Sequence, residues 1–372
     1  MLFRYVFLLL LGLGLSNCRV VRYETVYRPI SPVDAQRKPQ RVILMIGDGM
    51  GLAQITASMY RNANQTPMER FPVVGLQKCH STDALATDSA AAATAMACGV
   101  KTFNSAIGVD VDTLPRTSVL VEAERLGWAT GIVTTSSIVH ATPAAFYAHE
   151  SQRYQYENIA EALAPSQVDL AIGGGKKYFD RRKDERDLVA DLRQRGYTIR
   201  DYLNTSIRTL VSNPKQKLVY FTADSEPLPA TQGRDYLPAA CQFATRYLSK
   251  RDSGRFFLLI EGAQIDWSGH ARNGTELLAE IADFEKAVQK MLDFAQADGE
   301  TLLLVTADHE TGGMTISPQS TKDALSLQFA TNAHTAQMVP LFAFGPGASY
   351  FSGVYDNTEI YQKLRIVMGL QP

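Results

Sequence analysis

Residues 41–48 read "RVILMIGD". From Val42 to Ile46 every residue is apolar, with nothing polar interposed to face solvent. A short unbroken run of this kind suits a strand covered on both faces. Six more runs share the character: "ATGIVTT" (129–135), "DLAIGG" (169–174), "KLVYFT" (217–222), "FFLLIEG" (256–262), "TLLLVTAD" (301–308) and "VPLFAFG" (339–345). Between them lie amphipathic segments such as "TELLAEIADFEKAVQKMLDFAQ" (275–296). Strand and helix in alternation predict an α/β fold, a three-layer sandwich with a large, mostly parallel central sheet flanked by helices. No repeat and no low-complexity linker interrupts residues 39–372, so one domain is expected there.

The residues that end these runs point to chemistry. Asp48 ends the first, Glu261 ends "FFLLIE" and Asp308 ends "LLLVTAD". Ligands of open α/β sheets bind beyond the carboxyl ends of the strands, so three strands deliver carboxylates to one edge. One such acid would mean little, because acids often cap the helix after a strand. Two of the three, however, have histidines close behind. In "EGAQIDWSGHARN" (261–273), Asp266 and His270 are four apart and share a face of a helical turn. "TADHETGG" (306–313) sets His309 beside Asp308, and His334 stands just ahead of an apolar run. The chain has six histidines, and three of them fall in these segments. Carboxylate with imidazole suits zinc, and carboxylate with hydroxyl oxygen suits magnesium. Clustered acids at a strand edge repel and are costly to desolvate, and bound dications remove that cost.

A second stretch, "ATDSAAAATAMACGVKT" (86–102), has six alanines among the eight residues from Ala90 to Ala97. It predicts a helix of small side chains, with Asp88 and Ser89 at its start. Ser89 is read as both a helix cap and a nucleophile, because free N–H groups and the positive dipole end favour an anion there. The alanines would let the helix pack tightly beneath a crowded metal site.

Composition bounds the remainder. A chain of 372 residues, 45% hydrophobic and 20% charged, has length for one large core or two smaller ones. The net charge of -1 and the lack of a basic stripe argue against nucleic-acid recognition. Residues 5–15, "YVFLLLLGLGL", form an eleven-residue apolar run behind Arg4, short for a membrane span and suited to a signal peptide. "SNC" follows, ending at Cys18. The preferred reading is a lipoprotein signal over 1–17, Cys18 as the lipid-bearing first residue, and 18–38 as a tether. The other reading is an ordinary secretory signal cleaved nearby. Either way an exported protein is expected, periplasmic or at the cell surface. Cys79, Cys98 and Cys241 have no close pairing and are expected as buried free thiols.

Taken together, the motifs resemble those of the alkaline phosphatases. "IGDGMG" (46–51), "TDSAAAATAMACGVKTFNSAIGVD" (87–110), "HATPAAFYAHESQR" (140–153), "EGAQIDWSGH" (261–270), "TADHETGG" (306–313) and "AHTAQMVPLFAFGP" (333–346) occur in the family's order. The resemblance runs from Arg41 to about Leu370. It implies a phosphate monoester hydrolase of broad range that releases inorganic phosphate through a phosphoserine at Ser89, with two zinc ions and one magnesium. By that resemblance Asp266, His270 and His334 match one zinc site, and Asp48, Asp308, His309 and Ser89 the other. Asp48 also faces the magnesium, with Thr142 and Glu261. Arg153 matches the phosphate-clamping arginine, and a homodimer is implied.

Three features depart from the enterobacterial pattern. His140 stands where that pattern has an aspartate near the magnesium, and Trp267 where it has a lysine near the phosphate. Both are placed beside the ligands rather than among them, and His140 puts the third metal's identity, magnesium or zinc, in question. Only 24 residues separate His309 from His334. That is too short for the large crown insertion of many relatives, and implies a more open site and a smaller dimer interface. Ser105, Thr102, His80, His149 and the "GGGKK" at 173–177 are read as structural. Two other functions stay open from the residues: a related metallohydrolase preferring phosphodiesters or sulfate esters, and a phosphate- or metal-binding lipoprotein without turnover.

Overall fold

The computed structural model describes residues 37–251, 253–321 and 324–370; the signal, Cys18 and most of the tether lie outside these residues. All seven apolar runs are strands of one ten-stranded sheet. In chain order its members are β1 (Arg41–Gly47), β2 (Val73–Lys78), β3 (Ala129–Ser137), β4 (Leu170–Gly174), β5 (Tyr197–Asp201), β6 (Lys217–Phe221), β7 (Phe256–Gly262), β8 (Thr301–Thr306), β13 (Val339–Phe344) and β14 (Gly353–Asp356). Between β8 and β13 come four short strands, β9 (Glu310–Thr311), β10 (Met314–Ile316), β11 (Leu327–Phe329) and β12 (His334–Thr335). The sheet runs β14-β2-β13-β8-β1-β7-β3-β4-β6-β5, and only β13 runs antiparallel to its neighbours. The interior strands β1, β3, β4, β7, β8 and β13 lack the alternation of a one-sided sheet because helices cover both faces.

On one face lie α2 (Ser89–Cys98), α3 (Val119–Arg125), α4 (Ala141–Ala144), α5 (Tyr156–Leu163), α6 (Lys177–Asp180), α7 (Leu188–Gln194) and α11 (Thr358–Met368). On the other lie α1 (Leu52–Arg61), α8 (Leu237–Leu248), α9 (Gln264–His270) and α10 (Gly274–Asp298). The α10 helix contains the amphipathic 275–296 segment, starts on the Asn273 side chain and ends at left-handed Gly299.

All ten residues of α2 are buried. Its methyl side chains let α4 and α11 pack close on either side. Gly99 ends it at φ 71, where a Cβ would meet the Tyr361 ring at 2.3 Å, so no larger residue fits. One expectation is corrected here. The cap is Asp88, whose side chain accepts from the Ala91 N–H at 3.0 Å, and Ser89 is the first helical residue. An ionised carboxylate is at least as good a cap as a hydroxyl, and its use leaves Ser89 Oγ free.

The stretch between His309 and His334 is no crown, but it is more than a loop. Strands β10 and β11 pair antiparallel, and so do β9 and β12.

Candidate active site

Sheet order explains why the three strand-end acids meet. Strands β8, β1 and β7 are neighbours, with Ile46 opposite both Glu261 and Thr306. Asp48, Glu261 and Asp308 therefore emerge side by side, and all three are buried. The chain turns sharply after β1 at Gly49, φ 74. A Cβ there would lie 2.7 Å from Asp266 Cα and 2.8 Å from Thr311 Oγ1, so glycine lets this turn touch both. The Gly49 N–H donates to Asp308 Oδ1 at 3.1 Å, and the His309 N–H does so at 2.9 Å. Asp308 Oδ2 is left to point at His309 Nε2, 3.2 Å away.

The histidines are set by their outer nitrogens. His334 Nδ1 is 2.7 Å from the Thr87 carbonyl and His270 Nδ1 is 2.7 Å from the Asn332 carbonyl. His309 Nδ1 is 3.2 Å from Thr311 Oγ1. Each contact turns Nε2 inward, an arrangement usual for metal-binding imidazoles. The β9–β12 pairing places His334 opposite Thr311, which brings the His334 ring to 3.6 Å from that of His309. Buried Glu310 secures this pairing, accepting from Gln54, from the Met314 N–H and from the Thr335 hydroxyl.

Asp266 and His270 do share one face of α9, with His270 Nε2 3.3 Å from Asp266 Oδ2. His334 Nε2 approaches Asp266 Oδ1 to 3.3 Å. Ser89 Oγ, at the start of α2, is 3.3 Å from His309 Nε2, and that nitrogen is 3.5 Å from Asp48 Oδ1. Three overlapping groups arise in which the ligand atoms lie within 4.8 Å of one another: Asp266, His309 and His334; Asp48, Asp308 and His309; Asp48, His140 and Glu261. His140 thus falls among the candidate ligands, which corrects its expected place beside them. It follows β3, the neighbour of β7, and so reaches the ends of the central strands. Trp267 meets the His140 ring edge-on at 5.8 Å.

Arg153 donates from Nη1 to Asp88 Oδ2 at 3.0 Å, and its Nη2 lies 3.5 Å from His140 Nε2. Asp88 was quoted in the sequence for its position only. In the structure it does three things: it caps α2, holds Arg153 and accepts the Ser105 N–H at 3.0 Å. Ser105 returns its carbonyl to the Arg153 N–H at 2.9 Å. Thr311, Thr134 and Ser136 were also missed. Thr311 donates to Asp266, and Thr134 and Ser136 donate to Glu261 Oε2. Thr311 left no periodic signal, because β9 is only two residues long and His309 lies just outside it.

Electrostatics show the cost of this arrangement. Burial, then the charge of Asp308, pushes Asp48 well above the usual carboxylate range. Burial lifts Glu261 to about 7, and burial with the Asp266 charge lifts Asp308 to about 6. Burial acts against ionised Asp266 too, but hydrogen bonds from His270 and His334 outweigh it and hold that carboxyl well below its usual range. Burial, reinforced by Arg153, depresses His140 to about 3, so its imidazole is neutral and able to ligate. Both Asp48 oxygens, Asp308 Oδ2, Glu261 Oε1, Thr142 Oγ1 and His140 Nδ1 are buried without a hydrogen bond of acceptable geometry. Buried carboxylate oxygens of this kind are neutralised either by a proton or by a bound cation. Oxygen and neutral imidazole donors in these groups fit divalent metal ions.

The cap made by Asp88 is separable from its hold on Arg153. Asp88→Ala is expected to lower stability by roughly 1 kcal/mol through the lost cap, whereas Asp88→Asn keeps most of it. Urea denaturation of the two variants checks this; equal losses would deny the cap its share.

The alkaline phosphatase family model matches residues 39–328. The chain is 38% identical to alkaline phosphatase 4 of Bacillus subtilis, over 86% of this chain and 87% of that protein. The structure of alkaline phosphatase from the Antarctic bacterium TAB5 superposes with a TM-score of 0.86 at 40% identity, covering 91% of this chain and all of that one. Two variants of that enzyme, with a histidine changed to glutamate or aspartate, are described with Mg bound in the M3 site.

Proposed function

The chain belongs to the alkaline phosphatase family and is a metal-dependent phosphoric monoester hydrolase; from that premise we propose that Ser89 is its nucleophile and that two zinc ions and one magnesium surround it. The observation that carries this reading is a cluster of buried carboxylate oxygens without hydrogen-bond partners, at Asp48, Asp308 and Glu261, linked through His309 to a serine at a helix start. Asp266, His270 and His334 would hold one zinc, and Asp48, Asp308, His309 and Ser89 the other. Asp48, Thr142 and Glu261 would hold the third ion, joined by His140. An imidazole there suits zinc better than magnesium, so the third site would accept either. The magnesium described in histidine-to-acid variants of the Antarctic enzyme supports that sensitivity. When bound, such ions stabilise developing negative charge on the attacking and leaving oxygens and bring the pKa of bound water to roughly 7.

The chain's own groups do the rest. Ser89 Oγ sits at the positive end of α2, which favours both its alkoxide and a phosphate near it. Its attack on phosphorus breaks the bond to the leaving alcohol and leaves a phosphoserine, which water hydrolyses to inorganic phosphate. Arg153 would hold two non-bridging oxygens through its planar fork, aimed by Asp88 from behind. A fork that needs two free phosphoryl oxygens suits a monoester and disfavours a diester. Nitrophenyl phosphate should therefore be cleaved roughly 10²-fold or more faster than the bis-nitrophenyl diester or nitrophenyl sulfate. A preference for diester or sulfate in that comparison would replace this reading with the related metallohydrolase. Tight phosphate binding without turnover of any of the three would leave only a binding protein.

Export with a lipid at Cys18, in the periplasm or at the cell surface, is proposed from the N-terminal sequence alone. A homodimer with a smaller interface and a more open site is proposed from the family and from the short 310–333 segment.

A further inference from the structure

Three tyrosines lead away from Arg153. The Arg153 Cζ lies over the Tyr154 ring, 5.9 Å from its centroid. The Tyr154 and Tyr156 centroids are 6.4 Å apart with the rings at 85°. Tyr156 and Tyr178 follow at 5.0 Å and 36°. Lys177 Nζ stands 5.0 Å over the Tyr178 ring. Tyr156 and Tyr178 are half-buried against the core, which fixes them. Tyr154 is different: it remains 68% exposed, although it adjoins the arginine that faces the reacting group. Tyr156 meets it near a right angle and so does not stack on its face.

An exposed tyrosine is by itself ordinary. This one has an address. The guanidinium that would hold the phosphoryl oxygens lies over one face of this ring, so the exposed remainder of the ring is within reach of the alcohol portion of an ester bound at Arg153. A flat aromatic ring gains from an open π-face, whereas an aliphatic polyol gains little. Arg153 on one side and Lys177 at the far end also give the track a positive charge at each end, suited to an anionic ester.

We propose that Tyr154, backed by Tyr156, is a stacking subsite for the leaving group, so that phosphomonoesters bearing a planar ring, nucleoside monophosphates above all, are preferred over aliphatic ones. The inference rests on the monoesterase reading given above and adds a substrate class to it. Stacking, unlike pairing of base edges, does not select among bases, so the preference should extend to purine and pyrimidine nucleotides in proportion to ring area.

The test compares kcat/KM for adenosine 5′-monophosphate with that for glycerol 2-phosphate, using the metal-loaded wild type, Tyr154→Ala and Tyr154→Trp. The wild type should favour the nucleotide. In Tyr154→Ala the nucleotide-to-glycerol ratio should fall about fivefold or more, chiefly through KM, and Tyr154→Trp should restore it. An unchanged ratio in Tyr154→Ala, or no rescue by tryptophan, would overturn the subsite. Calorimetric titration with a non-hydrolysable adenosine phosphonate and with methylphosphonate gives the same ratio without turnover. If neither ester is hydrolysed, the monoesterase reading fails, and the phosphonate ratio still decides whether Tyr154 stacks.

Discussion

Ser89→Ala should leave a folded, metal-binding protein that no longer forms a phosphoenzyme. Loss of an activated nucleophile is expected to lower kcat by on the order of 10³-fold or more. The fold should hardly notice. Alanine is a better helix former than serine, the cap belongs to Asp88, and among the described residues the Ser89 hydroxyl anchors no backbone group. The decisive readout is mass spectrometry after acid quench during turnover: one phosphoryl increment on the wild type and none on the variant. Retained labelling at full level would assign the nucleophile elsewhere. A variant that melts far below the wild type would mean that the hydroxyl is structural after all.

Removal of metal should abolish activity, and its effect on stability should depend on pH in a definite direction. In the metal-free chain Glu261 and Asp308 titrate at about 7 and about 6, against ordinary values of 4.5 and 3.8. His140 and His309, depressed by burial to about 3, hold fewer protons folded than unfolded below their ordinary 6.5, but Glu261 and Asp308 hold more between pH 4 and 7. The stability these two acids contribute is present at low pH and is lost as pH rises through about 7. His270, raised to about 9 chiefly by its hydrogen bond to Asp266, adds a loss in the same direction at higher pH. Asp266 works the other way, but its gain is complete once the pH is above the ordinary carboxylate range. Bound cations need those same oxygens deprotonated, so rising pH strengthens the loaded state while it weakens the empty one. The difference in melting temperature between zinc- and magnesium-loaded protein and chelator-treated protein should widen from pH 5 to pH 8. A constant or narrowing difference would mean that the buried acids are neutralised by something other than metal.

Much of this architecture is legible in the sequence. The seven apolar runs are strands because both of their faces are buried, and burial is what an unbroken run reports. The ends at Asp48, Glu261 and Asp308 could be read the same way. Their adjacency could not, since β8, β1 and β7 are neighbours in space and far apart in the chain. The Asp266–His270 spacing predicted a shared helix face because helical period is local, and α9 has it. His334 is the opposite case. Its place depends on two-residue strands β9 and β12, too short to leave a periodic signal, and on a Glu310 anchor whose partners come from three other segments. The same limit explains Asp88, whose hold on Arg153 joins residues 65 positions apart, and His140, whose entry among the ligands depends on β3 lying beside β7.

The pairing of β9 with β12 also sets an order of events during synthesis. His334 is the last of the candidate ligands to leave the ribosome, and β13, which closes the sheet beside β8, comes just after it. A nascent chain carrying everything through Asp308 has the acids but neither the imidazole opposite Thr311 nor the strand that flanks them. The group of Asp266, His309 and His334 is therefore complete only after the chain has passed His334, whereas the two groups that share Asp48 draw on residues made earlier. Under the export proposed above, the group with His334 would be completed, and its ion taken up, in the compartment in which the chain folds.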